Sequence, residues 1–211
     1  AGMNRTRMGI QSASKKTLSL YNRLIPPSKI KESAQILAEA TGKYNLIPPA
    51  YDIISDNPLE DRNDIVNTLM FLYELDRPYT LTLFSLRVFP KTKLWEYFKT
   101  IPETSIICNQ NVSYLQTEKN MANILFYLLA VIKPPKPIFL WLLKRVKGSS
   151  DKQASHPLLY LLVKVAYLFS RAVNHFKKMD FSVIAGFWGY YFWKVGLIKT
   201  RFRKIYEIQP L

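Results

Sequence analysis

Polar side chains follow three apolar segments of the sequence, at the points where strands would end. They are Gln11, Ser12 and Ser14 after the first segment, Asp56 and Asn57 after the second, and Ser85 at the end of the third. The sequence shows no paired carboxylates, no nucleophile beside a histidine and no glycine-rich phosphate loop, so it names no catalytic residue. Each polar residue alone is explained by capping the next helix. All three turns together predict a shared site that binds the hydroxyl and amino groups of a ligand.

Apolar runs and their periodicity predict three consecutive units of strand, turn and helix. The strands are expected at 3–10, 50–55 and 78–86, and the helices at 15–22, 28–41, 63–75 and within 89–100. This repetition is typical of parallel βα units in an α/β fold. In such folds the turns at the carboxyl ends of the strands build the site, which is where the polar residues lie.

The three segments resemble, in the same order, the last three strands of the barrel in radical S-adenosylmethionine (radical SAM) enzymes. "RMGIQSASKKTLSLYNR" is similar to the fourth-strand segment of that family, "YDIISDNPLED" to the fifth and "LTLFSLRVFPKTKLWE" to the sixth. The resemblance is closest to the subgroup with an N-terminal cobalamin-binding domain. It implies that residues 1–104 are the C-terminal half of a partial (β/α)6 TIM-type barrel, followed by an α-helical region at 105–211.

The resemblance also implies which residues contact the cofactor S-adenosylmethionine. They are Gln11 and Ser12 at its ribose or methionine end, Ile54 with the turn of Asp56 and Asn57 at the adenine, and Ser85 and Leu86 at the adenine edge. The sequence departs from the family where Ala13 and Lys91 replace a usual glycine and Asp61 replaces a usual threonine. Glycine at a turn permits left-handed backbone and close approach of a ligand, so the backbone at these positions bears on the resemblance.

The metal chemistry of that family requires ligands that this sequence lacks. Its 4Fe–4S cluster is held by a Cys-x3-Cys-x2-Cys loop, whereas this chain has the single Cys108 and no metal-ligand spacing. The resemblance therefore implies a fragment, inactive alone, with the cluster and cobalamin held by a preceding part of a longer protein. The whole enzyme would cleave S-adenosylmethionine for radical chemistry or methylation at an unactivated carbon of a small-molecule substrate.

The second half of the chain is both more basic and more apolar than the first. Residues 1–104 contain 14 Lys and Arg against 11 Asp and Glu, whereas residues 105–211 contain 16 against 4. Its apolar runs, at 120–132, 138–146, 158–176 and 181–198, are each shorter than the ~20 residues needed to cross a bilayer. They predict helices that either cap the sheet or contact a membrane surface or an apolar substrate.

Basic residues in this half interrupt runs of Leu, Phe, Trp and Tyr. This pattern favours an anionic membrane surface over nucleic acid as the binding partner. The candidate contact is "WKVGLIKTRFRKIY", residues 193–206. The alternative function for the whole chain is thus a non-catalytic, basic module that binds membrane surfaces. The same apolar half indicates a lipid-like substrate for the enzyme. We expect a cytoplasmic protein with a peripheral contact to membranes and no nucleic-acid partner.

Overall fold

The computed structural model describes residues 5–23, 25–101, 117–148 and 155–180. Three parallel strands form one sheet in the order β1 (Arg7–Gln11), β2 (Ala50–Ser55) and β3 (Thr80–Ser85). The helices that connect or follow them are α1 (Lys15–Leu20) and α2 (Pro27–Lys43), then α3 (Arg62–Glu74), then α4 (Lys93–Lys99). The predicted α/β class and the three parallel βα units are confirmed.

Three further helices follow the βα units. They are α5 (Met121–Val131), α6 (Lys136–Gly148) and α7 (Pro157–Lys177). Helix α5 packs against β3 and α3, and α6 packs against α3 and α5. The chain divides into a compact unit of residues 1–171 and a second unit of residues 172–211. The predicted boundary between residues 104 and 105 lies outside the described residues. Among the helices that the structure describes, none is long and apolar enough to cross a membrane.

One face of the sheet forms the floor of the main hydrophobic core. Alternate strand residues point to this face, and Ile10, Tyr51, Ile53, Leu81 and Leu83 are each at most 4% exposed. They pack against buried side chains of the helices, including Leu69, Leu72, Leu125 and Leu129. Burial of each such aliphatic side chain contributes about 1.5–3 kcal/mol to the stability of the fold. Residues of α5, α6 and α7 are therefore part of the core that holds the sheet.

The opposite face of the sheet is mixed in polarity and only partly buried. Asp52 lies between Gly9 and Thr82 in the strand register, and Ile54 lies beside Phe84. All five are of intermediate exposure. Arg7 at the edge bridges this face, with its Nε 2.7 Å from Asp52 Oδ1 and its guanidinium 5.2 Å from the ring centre of Phe84. Parallel sheets are normally covered on both faces, so a face that is only partly buried is unusual for such a sheet.

Helix α7 joins the core through two tyrosines one heptad apart. The Tyr167 hydroxyl donates to the carbonyl oxygen of Leu81 in β3 at 2.7 Å, and the Tyr160 hydroxyl lies 2.7 Å from Thr117 Oγ1. Both rings pack on Tyr127 of α5, at centroid distances of 5.6 Å for Tyr160 and 5.0 Å for Tyr167. These contacts attach α7 to both β3 and α5.

The hydroxyl of Tyr167 is expected to contribute measurably to stability. Tyr167→Phe leaves the carbonyl of Leu81 without this buried donor, so the free energy of unfolding should fall by about 1–3 kcal/mol. Tyr44→Phe is the matched control because Tyr44 is 62% exposed, and its change should stay within about 0.5 kcal/mol. Denaturant unfolding of the 211-residue chain measures both, and equal changes would contradict the attachment of α7 through this bond.

Candidate functional site

Two non-glycine residues at the carboxyl ends of neighbouring strands have left-handed backbone. Gln11, the last residue of β1, has φ 70°, and Asp56, directly after β2, has φ 55°. Left-handed backbone is unfavourable for residues with a β-carbon, less so for aspartate than for most others. Such conformations persist only where surrounding contacts hold them, and they concentrate at functional sites. The carboxyl edge of this sheet is therefore the first place to look for a site.

The side chain of Gln11 folds back over Gly9. A β-carbon added to Gly9 would lie 2.5 Å from Gln11 Nε2, so only glycine leaves room for the amide there. The strand register shifts between Gly9 and Gln11, as in a β-bulge, and Arg23 Nη1 donates to the Gly9 carbonyl at 3.0 Å. The bulge places a partly exposed amide at the end of the mixed face of the sheet.

Ser12 lies inside the protein, at 1% exposure. Its hydroxyl donates to Glu60 Oε1 at 2.8 Å, lies 3.1 Å from Thr68 Oγ1 and accepts from the Ser14 amide at 3.1 Å. The Ser14 hydroxyl in turn donates to Asp64 Oδ1 at 2.6 Å. This network fixes the turn after β1 to the start of α3. That Ser12 contacts a cofactor stays a prediction, since three protein partners already engage its hydroxyl.

The two carboxylates in this network have opposite electrostatic environments. Burial raises the pKa of Glu60, and the hydrogen bond from Ser12 offsets this only in part. Burial also acts to raise the pKa of Asp64, but hydrogen bonds from Ser14 and from the amide of Asp61, together with Lys16, lower it overall. The turn after β1 is therefore bonded to one carboxyl whose pKa is raised, Glu60, and to one whose pKa is lowered, Asp64.

A second polar cluster surrounds Asp56 at the ends of β2 and β3. Its carboxylate accepts from the Glu118 amide at 3.0 Å and from Asn123 Nδ2 at 2.7 Å. The hydroxyls of Ser55 and Ser85 lie near this carboxylate and act to lower its pKa. Burial nevertheless raises the pKa of Asp56, and burial and the Asp56 charge raise the pKa of Glu118. The structure thus brings Asp56 and Ser85 together, and the contacts to residues 118–123 hold the left-handed backbone of Asp56.

The predicted adenine contacts Ile54 and Leu86 lie in one apolar cluster, separate from the main core. Its buried members are Leu86, Val88 and Phe98, and Tyr21, Ile54, Leu59, Leu94 and Trp95 pack against them. Asn57 adjoins this cluster, because its Nδ2 donates to the Tyr21 hydroxyl at 3.1 Å and its Oδ1 accepts from the Leu59 amide at 3.0 Å. Side chains from all three predicted segments therefore meet around this end of the sheet.

The described residues contain donors for an organic cofactor but none for a metal cluster. Over 5–23, 25–101, 117–148 and 155–180, no three His, Cys, Asp or Glu side chains are grouped so as to hold a metal ion. Cys108 lies outside these ranges. The Gln11 amide, the left-handed turns and the apolar cluster of Ile54 and Leu86 are compatible with a ribose, an amino acid end and an adenine. That these groups bind S-adenosylmethionine stays a prediction, and the described residues contain no grouping of side chains that could hold an iron–sulfur cluster.

Several residues of the site were not singled out from the sequence. Glu60, Glu118 and Asn123 complete the two polar clusters, and their partners are 48 to 67 positions away in the chain. Asn123 could have been noticed in the sequence, because it is an amide within the apolar run 121–131. In the structure it is only 1% exposed. A polar residue in such a run requires a buried partner, which here is the carboxylate of Asp56.

Comparison with known proteins adds no assignment to this site. The chain matches no protein-family model, and no curated protein is significantly similar to it in sequence.

The raised pKa of Glu60 gives a pH dependence with a definite sign. Above its ordinary value of 4.5, the folded chain holds this proton more strongly than the unfolded chain, so the contribution of Glu60 to stability falls as the pH rises. Glu60→Gln removes this loss. The free energy of unfolding of the variant minus that of the wild type should therefore increase as the pH rises from about 4.5 through the raised pKa.

Denaturant unfolding at a series of pH values measures that difference. Glu32→Gln is the control, because the Glu32 side chain is 60% exposed on α2 and its difference from wild type should not change in this way. A Glu60→Gln difference that is constant or shrinks with rising pH would show that burial does not govern this carboxyl.

Proposed function

We propose that this chain is the C-terminal part of a radical SAM enzyme of the cobalamin-dependent kind, and that the carboxyl ends of its three strands bind S-adenosylmethionine. The observation that carries the proposal is the meeting of the three predicted cofactor segments at one end of a parallel sheet. There Gln11 and Asp56 have left-handed backbone, and Ile54 and Leu86 share one apolar cluster. Strained turns beside an apolar surface suit a ligand with a polar end and a flat aromatic end.

Two departures from the family sequence also support the proposal. Lys91 stands where the family has glycine, and its φ is 65°, in the region that glycine adopts at little cost. Asp61 stands where the family has threonine. Its carboxylate accepts from the Asp64 amide at 3.0 Å as the N-cap of α3, a role in which aspartate and threonine are interchangeable. Both positions keep the local backbone geometry that the family residues favour.

The mixed face of the sheet supports the finer part of the proposal, a partial barrel. In a barrel of parallel strands, alternate residues of every strand line the interior. Here that row would hold Gly9, Asp52 and Thr82, with Ile54 and Phe84 one layer further toward the carboxyl ends. Further strands from a preceding part of the protein would close over this face. They would also carry the ligands of the 4Fe–4S cluster and cobalamin, for which the described residues offer no donors.

Within this proposal each predicted residue has a local task. The amide of Gln11 binds the ribose or methionine end of the cofactor, and Ser12 holds the turn that presents it. The apolar surface of Ile54 and Leu86 takes the adenine. Asn57, Asp56 and Ser85 form the polar rim of that surface, fixed by Tyr21 and Asn123. The substrate is a small molecule with an unactivated carbon, for which the apolar second half of the chain favours a lipid-like class.

The coding sequence upstream of Ala1 tests the proposal directly. An open reading frame continuous with this chain should encode a Cys-x3-Cys-x2-Cys loop, preceded by a cobalamin-binding domain. A continuous frame that reaches its start codon without such a loop would overturn the assignment to radical SAM enzymes.

Substitution of Gln11 in the complete protein tests the cofactor site. Gln11→Ala removes one hydrogen bond worth about 0.5–1.5 kcal/mol, so affinity for S-adenosylmethionine should fall roughly 2- to 13-fold with little loss of stability. Gly9→Ala should have a similar effect, because its new methyl group displaces the flexible Gln11 amide from 2.5 Å.

Isothermal titration calorimetry with S-adenosylmethionine measures these affinities. Gln35→Ala is the control, since Gln35 is an exposed residue of α2 that bonds only locally, to Glu39 at 3.0 Å. Unchanged affinity in both Gln11→Ala and Gly9→Ala would place the cofactor elsewhere.

A second candidate function, binding of an anionic membrane surface, is favoured by the charge of the later helices. Residues 117–148 and 155–171 contain eight Lys and Arg and one acidic residue, Glu118. The sequence segment first predicted to make the contact, 193–206, lies outside the described residues. Membrane contact is compatible with the enzyme proposal, because a lipid-like substrate would be drawn from such a surface.

A further inference from the structure

Helix α7 has its polar groups toward the protein and its apolar side chains toward solvent. Over residues 157–171 only Tyr160 and Tyr167 are buried. The two basic residues of this stretch lie on the same side, where Lys164 Nζ is 3.2 Å from the Tyr160 hydroxyl and Arg171 Nη1 donates to the Tyr167 hydroxyl at 2.7 Å. The side of α7 that faces the core thus combines the two tyrosines and Val163 with the basic groups of Lys164 and Arg171.

The opposite side of α7 is an apolar stripe that is exposed along its length. Its members recur at helical spacing and are 55–71% exposed: Leu158, Leu161, Leu162, Val165, Leu168 and Phe169. Successive residues turn by 100°, so Leu158, Leu162, Val165 and Phe169 point almost directly away from Tyr160 and Tyr167. A continuous apolar surface of this kind on a folded chain marks a site of contact with a partner or a membrane.

Charge decides which partner the stripe fits. Helix α7 contains no Asp or Glu, and residues 117–148 and 155–171 carry eight basic residues against one acidic residue. A second copy of this chain would bring another net charge of +15 to the stripe and would be repelled. An anionic bilayer offers hydrocarbon for the leucines and negative headgroups for Lys and Arg of the same compact unit, each of which adds about 1 kcal/mol where it lies close to the surface.

We propose that the exposed apolar stripe of α7 binds flat on an anionic phospholipid bilayer, with Leu158, Leu162, Val165 and Phe169 in the acyl region. The inference rests on the membrane-surface proposal above but assigns the contact to different residues. The tyrosine side of α7 stays on β3 and α5, so the sheet lies on the side of the helix away from the membrane.

A fluorescent probe at two matched positions tests the contact in the 211-residue chain. Cys108→Ser provides a cysteine-free background, into which Leu162→Cys or Ile36→Cys is introduced and labelled with nitrobenzoxadiazole. The two sites are alike in exposure, 60% for Leu162 on α7 and 59% for Ile36 on α2. With vesicles of equal parts phosphatidylglycerol and phosphatidylcholine, the probe at 162 should brighten several-fold and shift to the blue, and the probe at 36 should not.

A triple substitution measures how much the stripe contributes to binding. Leu158→Gln, Leu162→Gln and Phe169→Gln together should weaken sedimentation with the same vesicles by at least about tenfold at high salt, where charge contributes little. Ile36→Gln should leave it unchanged. Circular dichroism and thermal unfolding check that the triple variant is folded, which is expected because all three side chains are exposed.

Each other outcome overturns the inference in a distinct way. Sedimentation with a silent probe at 162 would leave the membrane-surface proposal standing but move the contact away from α7. A probe at 162 that is already shielded without vesicles would show that a second copy or residues 181–211 cover the stripe, and light scattering separates these two. Equal responses to neutral and anionic vesicles would remove the role of charge. No sedimentation with either neutral or anionic vesicles would contradict both membrane proposals. None of these results bears on cofactor binding.

Discussion

The candidate site depends on the contacts of one partly buried carboxylate, that of Asp56. Asp56 stands directly after β2 in left-handed backbone, and its carboxylate accepts hydrogen bonds from Asn123 and from the Glu118 amide. A buried carboxylate without such donors would cost several kcal/mol, so the segment before α5 and the ends of β2 and β3 must fold together. The same bonds hold the rim beside Ile54 and Leu86 in place, and thus join the helical second half to the site.

The sequence was sufficient for the parts of the fold that depend on local pattern. Apolar runs predicted the strands, and the gap between the apolar runs 120–132 and 138–146 predicted the separation of α5 from α6. It could not reveal that Ser12 is buried, since its partners Glu60 and Thr68 are 48 and 56 residues away. Nor could it orient α7. Its composition indicates an amphipathic helix, but only the packing of Tyr160 and Tyr167 shows that the apolar side faces outward.

The two proposed surfaces are tied together by one packing arrangement. Helix α5 lies against β3 and is bonded to Asp56 through Asn123, while its Tyr127 holds the tyrosines of α7. A continuous set of contacts therefore links the strand ends to α7. Under the two proposals, this arrangement would place the cofactor site and the membrane-binding helix on one packed unit, where both would act on one apolar substrate.

Analysis of nucleoside products tests the central claim most directly. The complete protein, anaerobically reconstituted with iron and sulfide and given a one-electron reductant, should convert S-adenosylmethionine to methionine and 5′-deoxyadenosine, whose added hydrogen atom would come from a substrate or from the medium. Liquid chromatography with mass spectrometry would show both products. Replacement of the upstream cysteines by alanine should abolish the nucleoside product while the fold of residues 5–101 persists by circular dichroism. A reconstituted protein that forms no 5′-deoxyadenosine, or that forms it equally without those cysteines, would contradict the account.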